Sequence, residues 1–263
     1  MASDKLVDPT PKLSQAAHRA RIRIVDETED YLVVDKPGGL VCHPTKGDIY
    51  SSMISRLRLY FEGREAEPRF VHRLDRETSG LILISKNRPV HKSLCREIEQ
   101  ATKIYYAVVE GVPSNKSGLI DQDLGKATGS PVVVKQAVVD QGKASQTQWE
   151  LLDTQDNYSL LALRPLTGRM HQLRVHLQWL GHPIVGDKLY GRDETLYLEF
   201  TEKDWTSRHE SQLEARRQLL SAVSLETPSY SWSVPVPSDI REFRDWVAAT
   251  GEPKLNIAPE NER

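Results

Sequence analysis

Short apolar runs rich in β-branched residues alternate along the chain with polar turns, and only three stretches carry a helical spacing. Arg21 to Val25 (RIRIV) and Tyr31 to Asp35 (YLVVD) are separated by an acidic turn, and Lys36-Pro37-Gly38-Gly39 closes the second run. This pattern predicts a hairpin. Strands are also predicted at Lys103 to Glu110, Val132 to Val139, Ser145 to Leu152, Tyr158 to Arg164 and around Leu219 to Glu226. Tyr50 to Phe61 places Met53, Ile54, Leu57 and Phe61 on one helical face, and Pro89 to Gln100 repeats that logic with a proline near the helix start. In Met170 to Leu180, a helical reading makes Met170, Leu173, Leu177 and Leu180 a buried stripe, with His171, Arg174 and Gln178 on the adjacent one.

Strands outnumber helices and do not alternate with them as a doubly wound parallel sheet requires. The expected class is α+β, with a mixed, mainly antiparallel sheet and flanking helices. Residues 1–20 are polar, contain two prolines and lack periodicity, so they are expected to form a disordered or loosely attached arm. A single domain is expected over 21–245, followed by a polar tail at 246–263. Within it, 192–210 holds six acidic residues against three basic ones and is expected to be an acidic surface insertion.

A hydrophobic content of 38% over 263 residues is enough for a buried core, and the net charge of −2 gives no global sign of a polyanion partner. Positive charge collects locally instead. Residues 64–103 carry nine Lys and Arg against six Asp and Glu, and 160–191 carry four against one. The two cysteines, Cys42 and Cys95, lie far apart without ligand-like neighbours, which argues against a disulfide framework or a zinc site and fits a reducing compartment. No apolar signal core and no run of about 18 apolar residues is found, so a cytoplasmic, non-membrane protein is expected.

Several chemistries lose their main support. The sequence contains no phosphate-binding Gly-x-x-x-x-Gly-Lys-Ser/Thr loop, no Gly-x-Gly-x-x-Gly, no His-Glu-x-x-His and no Gly-x-Ser-x-Gly. His171 and His176, five apart, do not share a helical face, so no metal site is expected. What remains is FVHRLDRETSGLILISK at Phe70 to Lys86, where Asp75 stands between Arg73 and Arg76 at the entrance of an apolar strand. Taken alone, Asp75 fits a turn former bonding its local backbone, the polar residues of 170–180 fit a solvated helix face, and Tyr105 fits a buried strand residue.

Together these segments closely resemble the RluA family of pseudouridine synthases. HRLDRETSG matches the family's His-Arg-Leu-Asp-x-x-Thr-Ser-Gly, KIYYAVVEG its Lys-x-Tyr-x-Ala-x-Val-x-Gly, and TGRMHQLRVHL its Thr-Gly-Arg-x-His-Gln-Ile/Leu-Arg-Val-His-Leu. YLVVDKPGGLVCHPT, GHPIVGDKLYG and RRQLL also fit, so the resemblance runs from about Ile24 to about Pro237 in the family's order. It implies the pseudouridine synthase fold with a central RNA-binding cleft, and isomerisation of uridine in ribosomal or transfer RNA without cofactor or metal. No DNA partner is implied, and a monomer is expected.

The resemblance gives Asp75 the catalytic role and leaves open whether its carboxylate attacks the sugar or removes the 2′ proton. Arg174, from the distant helix, is the expected cation partner, since immediate neighbours at a strand-like corner point apart. Tyr105 is expected to stack on the flipped uracil and assist proton removal from carbon 5, and Leu173 to supply an apolar wall. Arg73 is expected to enter the RNA beside the extruded base, with His72 also in contact with substrate and Arg76 left between a phosphate contact and plain solvation. Many relatives carry an additional N-terminal RNA-binding domain. Only about 20 polar residues precede the first strand here, so the RNA is expected to be held by the catalytic domain itself. After RRQLL, where relatives often have His-Ala, this chain has Ser221-Ala222. The competing readings are a non-catalytic RNA-binding or ribosome-assembly protein, and a nucleic-acid glycosylase that would release free uracil.

Overall fold

In the computed structural model of the chain the described residues are 22–44, 52–244 and 246, so the calls on 1–20 and on nearly all of 246–263 lie outside them. The expected hairpin forms from β1 (Arg23–Glu27) and β2 (Tyr31–Lys36). Its turn is fixed by Thr28, whose hydroxyl oxygen accepts from the amides of Asp30 and Tyr31 at 3.2 Å. The chain continues through β3 (Arg69–Phe70), β4 (Ser79–Ser85), β5 (Thr102–Glu110), β6 (Ser117–Asp121), β9 (Gln146–Gln155), β10 (Tyr158–Pro165), β11 (Leu220–Glu226) and β12 (Ser231–Ser233). These ten strands form one sheet in the order β1-β2-β4-β11-β5-β10-β9-β6, with β12 beside β11 and β3 beside β4. Two further strands, β7 (Leu124–Lys126) and β8 (Gln136–Val138), pair separately.

Every pairing is antiparallel except that of β4 with β11, where Ser79 and Gly80 lie opposite Ser221 and Ala222. This seam sits mid-sheet, directly after Asp75. All seven residues of β4 are buried, the continuous apolar run of a strand covered on both faces. One face is covered by α1 (Met53–Tyr60) and α3 (Gln172–Trp179), which pack Met53, Leu57, Leu173 and Leu177 against Ile82, Ile84, Tyr105 and Leu163. The other is covered by α2 (Arg88–Glu99) and by the C-terminal segment with α6 (Ser238–Arg241). Tyr105 and Tyr106 therefore project to opposite faces yet are both buried, at 9% and 2% exposure. Helix α2 starts as its sequence suggests, with the Asn87 side chain accepting from the Val90 amide and Pro89 in the first turn.

Two expectations are corrected. Val132 to Val139 is a strand only over Gln136–Val138, because the Lys135 amide donates to the Val132 carbonyl and turns the chain there, leaving Val133 75% exposed. Helix α3 begins at Gln172, not Met170, because His171 adopts a left-handed backbone with φ 56°; Met170 therefore lies outside the buried stripe and is exposed. Within 192–210, expected as an acidic surface insertion, the chain forms α4 (Thr195–Lys203) and the start of α5 (Ser207–Gln212), with Leu196 and His209 buried.

Gly80 has φ +108° at the parallel seam, and a Cβ there would lie 2.1 Å from the Ala222 carbonyl oxygen. Gly80→Ala should therefore destabilise the protein by more than about 2 kcal/mol, measured by urea unfolding, since both the backbone angle and the clash with main chain oppose it.

Candidate active site

Asp75 lies in the 71–78 loop that links β3 to β4, and this loop is fastened along its length. The buried Lys36 ammonium donates to the carbonyls of Pro37, Leu40 and Arg76 at 2.9, 2.9 and 3.0 Å. Burial pulls that ammonium down to about 8, so at neutral pH it keeps its proton and all three donors. The Cys42 thiol reaches the Leu74 carbonyl, and Arg217 donates to the carbonyl of Glu77. Lys188 pairs with the Glu77 carboxylate at 2.7 Å, and Gln218 donates to the Thr78 hydroxyl at 2.7 Å. The Thr-Ser-Gly and RRQLL motifs thus act as fasteners for the loop.

Arg174 projects from α3 toward this loop. Its Nη1 donates to Asp75 Oδ2 at 2.9 Å, as expected from the sequence, while Arg73 and Arg76 are exposed and make no ion pair with Asp75. The bidentate fork goes elsewhere. Arg174 Nε and Nη2 donate to the two oxygens of Asp187 at 2.7 and 2.9 Å, and Asp187 Oδ1 also accepts from the amides of Leu189 and Tyr190. Asp187 is fully buried; burial alone would raise its pKa, but the Arg174 charge and four donated hydrogen bonds hold it below the usual carboxylate range. One arginine is thus shared by two carboxylates. Asp75 takes a single donor on Oδ2, and Oδ1 has no hydrogen bond among the described residues. A carboxylate oriented through one oxygen and open at the other can act on a reacting atom.

His171 and Tyr190 complete the cluster. The Gln136 amide donates to the Tyr190 oxygen at 2.9 Å, and that hydroxyl shares a 2.8 Å hydrogen bond with His171 Nδ1. The other ring nitrogen, Nε2, stands 4.0 Å from Asp75 Oδ2. Burial and the Arg174 charge lower the His171 pKa against the opposing pull of Asp75, leaving the ring neutral. The Tyr190 ring also covers the Arg174 guanidinium at 4.8 Å.

Of the other residues picked from the sequence, Tyr105 and Leu173 share one buried cluster. Burial pushes the Tyr105 phenol well up and the negative charge of Asp75 adds to the shift, so it stays protonated at neutral pH. His72 is committed to the sheet, since its Nε2 accepts from the Leu83 amide at 3.1 Å and burial pulls its pKa to about 3. Arg76 donates to the Gly39 carbonyl at 3.3 Å and rests over the Phe200 ring of α4 at 5.3 Å. The segments that carry the resemblance also contain Lys36, His171, Asp187 and Tyr190, which the structure adds to the surroundings of Asp75. Among the described residues no group of three or more His, Cys, Asp and Glu side chains is placed to hold a metal ion, and no helix is long and apolar enough to cross a membrane.

The site thus sets a fastened loop carboxylate against a buried arginine, with the buried Tyr105 of a central strand near enough to feel its charge. The model of the RNA pseudouridylate synthase family matches residues 30–179, and the chain belongs to that family. It is 33% identical over 249 residues to an uncharacterized RNA pseudouridine synthase of Chlorobaculum parvum, covering 88% of this chain and 75% of that protein. It is also 33% identical over 238 residues to ribosomal large subunit pseudouridine synthase D of Nitrosomonas europaea, covering 86% of this chain and 65% of that protein. Among solved structures it resembles human RNA pseudouridylate synthase domain containing 1, with a TM-score of 0.66 and 26% identity over 91% of this chain and 92% of that one. These relatives agree with an RluA-type synthase and with the α+β fold.

Proposed function

We propose that the protein converts specific uridines of ribosomal or transfer RNA into pseudouridine, using Asp75 as its catalytic carboxylate and no cofactor. The observation that carries this reading is the division of labour on Arg174, which is neutralised by Asp187 through a two-point fork and orients Asp75 through one bond only. The reaction balances within the nucleotide. The bond from N1 to C1′ breaks, the uracil turns, C5 bonds to C1′, the C5 proton leaves and N1 gains a proton. Asp75 serves the first step, either by attacking C1′ or by taking the 2′ proton. Tyr105 stacks on the base and, as a neutral phenol close to Asp75, relays the C5 proton at the end: its oxygen takes that proton while its own hydrogen passes to the Asp75 carboxylate. A uridine reaches this pocket by leaving its stack at a cost of a few kcal/mol, which favours loops and weak pairs as targets.

Release of tritium from RNA labelled at uridine C5 tests the activity, and appearance of free uracil instead would indicate a glycosylase. RNA binding without release would point to a binding protein. Tyr105→Phe should bind RNA as wild type does, because the stacking ring remains, and should release tritium roughly 10²-fold more slowly, as expected for loss of one proton-transfer group. Loss of affinity at unchanged rate would remove Tyr105 from the proton transfer.

A further inference from the structure

On the outer side of the Asp75 loop lies a cleft of about 740 Å³, walled by α1, by the 66–73 segment and by His43. Three arginines face it, Arg58 from the exposed side of α1, Arg69 from β3 and Arg73 from the loop. Glu67, the carboxylate of its wall, is bonded to Arg69 at 3.3 Å and Arg88 at 3.2 Å and is thereby neutralised. Arg58 and Arg73 have no carboxylate partner among the described residues. Two exposed cations at one cleft concentrate anions there. The charges of Arg73 and Arg58, after burial, also hold the His43 pKa below its ordinary value, which places the ring close to both. His43 and Phe70 meet edge to face at 5.1 Å, so an aromatic surface stands beside the cations.

We infer that this cleft is a second nucleotide subsite, in which a single-stranded RNA residue adjoining the target uridine stacks on Phe70 and His43 while its phosphate meets Arg58 and Arg73. The inference rests on the RNA-modifying reading above and extends it. Cations interleaved with aromatics suit single-stranded nucleic acid, because each base offers a stacking face and each link a phosphate. Its place also fits, since Arg73 precedes Asp75 by two residues, a span of at most about 7 Å of chain, so one strand can serve both sites. An acidic peptide would satisfy the arginines but not the aromatic pair.

The test is fluorescence anisotropy of the full chain with a short labelled oligouridylate, titrated between about 50 and 200 mM potassium chloride. Arg58→Ala should weaken binding about fivefold at 0.1 M salt and reduce the slope of log affinity against log salt by about 0.7, the loss of one single-strand phosphate contact. Phe70→Leu keeps the apolar packing and should weaken binding about tenfold with no change of slope, the loss of one stacked base. Arg241→Ala, an exposed arginine outside the cleft, should leave both unchanged. Unaltered affinity and slope in Arg58→Ala and Phe70→Leu would overturn the subsite, as would a polyglutamate peptide binding as tightly as the oligonucleotide. Tritium release by wild type is scored in parallel, so a failed subsite beside an active enzyme is told apart from a failed synthase reading.

Discussion

Asp75→Asn should fold as wild type does and form pseudouridine more than about 10³-fold more slowly, a loss of about 4 kcal/mol in transition-state stabilisation. The substitution is close to isosteric, the Asp75 side chain is 30% exposed, and Arg174 keeps its two-point contact with Asp187. Little stability therefore depends on the charge at position 75. Whether the carboxylate attacks the sugar or takes a proton from it, an amide does neither. Single-turnover tritium release with circular dichroism of the same samples checks the claim. Unchanged affinity for RNA with the rate collapsed is the expected split.

Asp187→Asn should act in the opposite order, striking stability first. It removes the carboxylate that compensates a buried guanidinium, and breaking a buried pair from one side costs about 3–5 kcal/mol. For a domain of this size that lowers the melting temperature by roughly 10 °C. A double variant, Arg174→Met with Asp187→Asn, should recover part of the stability, since the unpaired guanidinium is gone and the asparagine oxygen still accepts from the Leu189 and Tyr190 amides, yet remain inactive because nothing then orients Asp75. Thermal unfolding of the three proteins, followed by tritium release, separates the two effects. If the double variant were active, Arg174 would not be the orienting cation. The pair also sets an acid limit. Asp187 is held below its unfolded pKa of about 3.9, so its contribution is present above that value and is lost as pH falls further, through the depressed native pKa.

Much of this was legible in the sequence. The hairpin and strand β5 follow runs rich in β-branched residues, β9, β10 and β11 follow short apolar runs between polar turns, and α2 follows its apolar spacing and its proline. Strand β6 was missed because it is an edge strand with Ile120 as its one buried residue. Strand β7 was missed because it is three residues long and shaped by pairing with β8. Motif and strand geometry together suggested that Arg174 and not an adjacent arginine meets Asp75, and the structure agrees. Asp187 stayed hidden as a site residue because its role depends on where α3 lies over the turn thirteen residues later, a tertiary fact with no local periodicity. His171 reads as a helix-face residue, but its left-handed backbone delays the helix start to Gln172 and turns its ring toward Tyr190 and Asp75. Local propensity does not reveal such a conformation, which the surrounding contacts impose.

The most direct test of the central claim is carbodiimide mapping of pseudouridine in total RNA from host cells lacking the gene, complemented with either wild type or Asp75→Asn. The account predicts at least one site that appears with wild type and is absent with the variant at equal protein levels. A site restored equally by both, or no site restored by wild type that still binds structured RNA, would contradict it.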